Sequence, residues 1–193
     1  MNTPQTVAVV LNVLFGAMAL SAHAHVVIDN PRAEAAANFR ATFKVGHGCE
    51  GLPTKTLTIA IPEGVNQAKP MPKPGWTLNT KTEKLATPYE YHGKKVDTRV
   101  SEISWSGGAL ADSHYDEFVV LIRTPERAGK VYFKTTQLCA EGGKQGRWDW
   151  HDIAPPGKTR RDMKAPAPEL EVVPKAAGVP AAGSAPSTTE HRH

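Results

Sequence analysis

Long apolar runs are missing from this chain, and so is any convincing helical pattern beyond its first two dozen residues. The only extended apolar stretch, Val7 to Leu20, is short for a bilayer crossing, is interrupted by Asn12 and Gly16, and is followed at once by small residues. It reads as the core of an export signal, with no stable membrane span left once that signal is removed. Met1 to Ala24 also lack Lys, Arg, Asp and Glu, so the formal charge of +4 belongs to the chain from His25 onward. There the basic residues are scattered among acidic ones and do not gather beside aromatics, which argues against a nucleic-acid partner.

Catalytic signatures are missing too. There is no G-x-S-x-G, no Walker loop, no H-E-x-x-H and no glycine-rich dinucleotide fingerprint. Cysteine is scarce. Cys49 and Cys139 stand far apart without C-x-x-C spacing, and in an exported chain such a pair reads as a disulfide. A Cys/His/Asn hydrolase would need one of them unpaired beside His47 or His151. The expectation is a protein that is not an enzyme. No methionine cluster is present either, so soft ligands for Cu(I) are few.

What is present is a succession of short strands. Asn38 to Val45 alternates Phe39, Ala41, Phe43 and Val45 against polar partners, and Thr56 to Ile61 is a second strong run. Val26 to Ile28, Trp76 to Thr82, Tyr89 to His92, Val96 to Trp105, Tyr115 to Arg123, Lys130 to Leu138, Arg147 to Ile153 and Leu170 to Val173 continue the pattern, with turn residues between them. Lys69 to Gly75, with Pro70, Pro72 and Pro74, reads as a stiff loop, and Ser106-Gly107-Gly108 as a strand end. The fold class expected is an all-β, antiparallel β-sandwich of immunoglobulin or cupredoxin type, with about nine short strands. The predicted organisation is a signal over 1–24, one domain over 25–173, and a Pro/Ala-rich tail over 174–193 too poor in apolar residues to order itself.

The most informative stretch is Ala22-His23-Ala24-His25. Ala22 and Ala24 satisfy an A-x-A cleavage site, and cutting after Ala24 makes His25 the first residue of the mature chain. Its α-amine and imidazole Nδ1 together close a chelate ring on a metal, and affinity at such nitrogen sites peaks at copper. Two nitrogens leave room for a carboxylate as a third ligand. Cutting after Ala22 would instead begin the chain His23-Ala24-His25, a peptide that holds Cu(II) without help from a fold.

Several blocks, in order, carry a family likeness. They are Ala24-His25-Val26, Ile103 to Gly108, Asp116-Glu117-Phe118, Gln137 with Gly142-Gly143, Trp150 to Pro155, and Pro166-Ala167-Pro168. Together they make nearly all of His25 to Val173 resemble the YcnI-like periplasmic copper-binding proteins. The resemblance implies a β-sandwich that binds one Cu(II) through a monohistidine brace. In this chain the brace would be the amine and imidazole of His25, with oxygen from Glu117 (Asp116 as fallback). Trp150 would lie against the metal, and Trp148 is its rival for that place. It also implies a periplasmic or secreted copper chaperone or copper-acquisition factor, working with a copper transporter or another cell-envelope copper protein. His47, His92, His114 and His151 read as isolated; one of them reaching the brace would give the two-histidine arrangement of a copper redox enzyme. A structural or adhesion-type sandwich is the alternative from another class.

Overall fold

The computed structural model describes residues 25 to 176; the expected signal segment 1–24 and the tail from 177 onward lie outside the described residues. Among the described residues are twelve strands and a single 3-10 turn at Arg160–Asp162. No helix among them is long and apolar enough to cross a membrane.

Two sheets face each other. In the first, β1 (Val27–Asp29), β3 (Asn38–Val45), β8 (Asp116–Arg123) and β5 (Asn66–Pro70) lie side by side in that order, all antiparallel. Ile28, Phe43 and Phe118 form one cross-strand row, Ala41 and Val120 another, and all are buried. Strand alternation accounts for this, since it sends every second side chain to the same face. In the second sheet the order is β11 (Lys144–Trp150), β10 (Thr135–Glu141), β4 (Thr54–Ala60), β7 (Lys94–Leu110) and β6 (Thr77–Tyr91). Its inner face carries Leu57 opposite Trp105 and Ile59 opposite Ile103. Trp105 meets Phe118 of the facing sheet edge-on at 5.4 Å, and its indole N–H donates to the Met71 carbonyl at 3.0 Å. Each large apolar side chain buried in this way contributes roughly 1.5–3 kcal/mol.

A third, smaller sheet joins β2 (Arg32–Glu34), β12 (Glu169–Val173) and β9 (Gly129–Tyr132) and adds Leu170 and Val172 to the same core. Its β2–β12 pairing is parallel, the one departure from the antiparallel expectation among the paired strands. Two hairpins turn on two residues each. His92 and Gly93 (φ 50° and 71°) join β6 to β7, and Gly142 and Gly143 (φ 56° and 79°) join β10 to β11. Positive φ at both central positions matches the turn twist to that of the strands.

The strands outnumber the nine expected, and some run longer. Residues 77–91 form one continuous strand, where the sequence pattern suggests two. β7 continues through Gly107-Gly108 to Leu110, and the Trp76 ring packs where a Gly108 Cβ would sit. The predicted stiff loop at Lys69 overlaps the end of β5, whose Pro70 is tolerated because β5 is an edge strand.

Cys49 and Cys139 are joined in a disulfide, with Cα atoms 5.8 Å apart across a sequence separation of 90. Gly146 lies opposite Cys139, and a Cβ there would come within 2.7 Å of the Cys49 Cβ, so glycine leaves the bridge its space. Replacing both cysteines with serine is expected to lower the unfolding free energy by about 4.5 kcal/mol, the loop-closure value for a ring of this size. Urea unfolding of the two proteins checks this.

Candidate metal centre

His25 stands just ahead of β1, half-buried, with the next residue, Val26, only 1% exposed. The Val26 carbonyl accepts a hydrogen bond from Arg160 Nη2 at 2.8 Å, so an arginine from the far end of the domain holds the backbone beside His25. The Arg160 guanidinium is itself partly buried, and that desolvation pushes its pKa below the usual arginine value.

The imidazole of His25 meets the Trp150 indole edge-on, 5.7 Å between centroids at 69°. Trp150 closes β11 and is 1% exposed, and alternation puts Trp148 on its face of the strand. The two indoles stack at 5.1 Å and 22°, with Lys164 Nζ 5.8 Å over the outer one, Trp148. Of the two tryptophans, Trp150 is therefore the one in ring contact with His25. Its indole N–H donates to Gln137 Oε1 at 3.0 Å, so Trp150 borders the histidine with its π-system and not with nitrogen.

Gln137, quoted above only as part of a family block, and His47, read above as isolated, complete the surroundings. Gln137 is fully buried on the inner face of β10, and its Nε2 donates to the His47 carbonyl and to Thr54 Oγ1, both at 2.7 Å. His47, in the loop after β3, lies edge-on to the same Trp150 ring at 6.1 Å and 72°. Its loop is pinned by the Gly48 N–H donating to Asp112 Oδ1 at 2.9 Å and by the disulfide at Cys49. Gln137 shares the inward face of β10 with Thr135 and Cys139.

The expected carboxylates lie on β8. Glu117 pairs across the strands with Lys44, which pairs with Val27, so all three occupy one row two residues along from His25. Asp116, the fallback, is taken up by Lys73, whose Nζ is 2.6 Å from Oδ1 and 5.1 Å over the Phe118 ring. Among the described residues no group of three or more His, Cys, Asp or Glu gathers into a metal cage. A brace at a chain start asks for less, one side chain and the terminal amine. The remaining histidines are elsewhere. His92 sits in the β6–β7 turn against Tyr91, His114 lies in the loop before β8, and His151 is beside Thr136 and Asp149. Hydrogen bonds from Arg147 hold the Asp149 carboxyl below the usual carboxylate range.

A family model described as a domain of unknown function, DUF1775, matches residues 25–172. The chain belongs to this family. The match begins at His25, and the YcnI-like proteins that the sequence resembles are members. Among solved structures, an uncharacterized protein from Nocardia farcinica, described as having an immunoglobulin-like fold, superposes with a TM-score of 0.57. It is 24% identical, and the alignment covers 77% of this chain and 97% of that one. No curated protein matches significantly. The immunoglobulin-like sandwich is thus the fold of this DUF1775 chain.

Replacing Gln137 with Leu leaves the Trp150 N–H, the His47 carbonyl and the Thr54 hydroxyl without that partner. A buried polar group left unpaired costs about 1–3 kcal/mol, and the variant is expected to lose stability on at least that scale in urea. Its near-UV circular dichroism should change as the Trp148–Trp150 stack loosens.

Proposed function

We propose that the chain, cut after Ala24, binds one Cu(II) at His25 and carries or buffers copper at the cell envelope. The observation that carries this reading is the contact of His25, at the first matched position of the domain, with the buried Trp150 indole. A half-buried imidazole there, on a backbone held by Arg160, is a defined and accessible position for a metal to reach.

The donor set suits the ion. The freed amine and Nδ1 of His25 would supply two nitrogens, and Glu117 in the Val27–Lys44–Glu117 row would supply oxygen and negative charge. Trp150 would border the metal without ligating it. Bound copper would be cargo and not a catalyst, and few protein ligands favour stepwise exchange with a copper transporter or another envelope copper protein. The Cys49–Cys139 bridge and the apolar segment ending at A-x-A support a periplasmic or secreted location. A structural or adhesion-type sandwich is the rival reading, because immunoglobulin-like folds serve many roles.

Electron paramagnetic resonance of Cu(II) on the mature chain, and on one extended by a single residue before His25, separates the two. Equimolar binding with a nitrogen-rich spectrum is expected for the first and its loss for the second; identical binding by both would overturn the brace. An anaerobic Cu(I) titration is expected to show weaker retention than Cu(II), since both cysteines are tied up in the disulfide and no methionine cluster is present. Equal affinity for the two ions would count against that preference.

A further inference from the structure

His47 is the one histidine among the described residues, besides His25, in ring contact with Trp150. We propose that His47 Nε2 is a second imidazole ligand of the copper held at His25. The inference rests on the His25 reading above and deepens it, turning a site with one histidine into one with two.

Backbone register brings the pair together. Val27, Ile28 and Asp29 pair with Lys44, Phe43 and Thr42. Continuing that antiparallel register sets His25 opposite Gly46, with His47 one residue further along. The rings then converge on one aromatic, at 5.7 Å and 6.1 Å from the Trp150 indole and inclined 69° and 72° to it. Trp148 stacks nearly parallel on Trp150 and covers one of its faces. The two imidazoles therefore border one and the same ring.

The neighbour selects the tautomer of the neutral ring. His47 Nδ1 lies at hydrogen-bonding distance from the Gly48 carbonyl. A carbonyl oxygen only accepts, so the proton sits on Nδ1 and the lone pair on Nε2. This is the arrangement of metal-binding imidazoles, in which one ring nitrogen donates to a carbonyl or carboxylate and the other is left to ligate. The loop is also pre-organised. Gln137 holds the His47 carbonyl, Asp112 holds the Gly48 N–H, and the disulfide holds Cys49. Such fixing means little ordering is needed when the metal arrives. With His47 the nitrogen donors number three, a set that favours cupric ion over other first-row divalent metals.

The test uses the mature chain beginning at His25, loaded with one equivalent of Cu(II). Pulsed electron paramagnetic resonance counts the imidazoles by their remote nitrogens, and competition with a chelator gives the affinity. Two coordinated imidazoles are expected in the unaltered protein. One is expected in both His47→Ala and His47→Gln, with affinity lower by at least about tenfold. The glutamine variant keeps a donor for the Gly48 carbonyl, so folding and ligation are read separately, with circular dichroism confirming the fold. A single imidazole in the unaltered protein overturns the proposal, as does a second imidazole that persists in both variants. If His47 is not a ligand but the brace is real, the chain extended before His25 still loses its metal. If the extended chain binds unchanged, the His25 reading itself has failed, and the proposal falls with it.

Discussion

A buried primary amide holds this molecule's candidate site together. Gln137 lies wholly inside a β-sandwich, where a neutral amide is tolerated only if both of its ends find partners. They do. The oxygen takes the Trp150 indole N–H, and the nitrogen serves the His47 carbonyl and the Thr54 hydroxyl. Because an indole nitrogen can only donate, the amide has one orientation available, and that choice propagates. It ties β4, β10, β11 and the loop after β3 to a common point. The Trp150 ring is set by it, and the two imidazoles rest against that ring.

The neighbouring interactions divide the work between stiffness and openness. The disulfide and the Gly48–Asp112 hydrogen bond hold the His47 loop, while the glycine at 146 makes way for the bridge. Charge is distributed to the same end. Lys73 occupies Asp116 and turns it inward, and Glu117 is left on the outward row with Lys44 as its cross-strand neighbour. Two adjacent carboxylates in the sequence thus face different surroundings. Only strand alternation is needed to separate them.

Much of the sandwich was legible because its strands alternate. Asn38 to Val45, Thr54 to Ala60 and Asp116 to Arg123 carry regular inward rows, and the glycine pair at 142–143 marks a hairpin. β10 could not be oriented in the same way, since Thr135, Gln137 and Cys139 point inward while Leu138 is 37% exposed. There the polar set is the core set, which inverts the usual reading. β2 has only three residues, and its parallel partner β12 lies more than a hundred positions away, so local pattern carried no trace of it. For the site, His25 stood out from the A-x-A motif before it, and Trp150 with its rival Trp148 from the family resemblance. That His25 and His47 both border Trp150 depends on the β1–β3 register and a pinned loop, and neither is written in a short window of sequence.

The grip of Arg160 on the Val26 carbonyl joins groups 134 residues apart, and the parallel pairing of β2 with β12 spans a similar distance. During synthesis Val26 emerges long before either partner exists. Contacts of such separation are slow to close, so these two clasps come late, whereas the pairing of β1 with β3 is local. The near neighbour β3 can thus seat the first strand, while Arg160 and β12 fasten the same end of the domain only once its C-terminal part has been made.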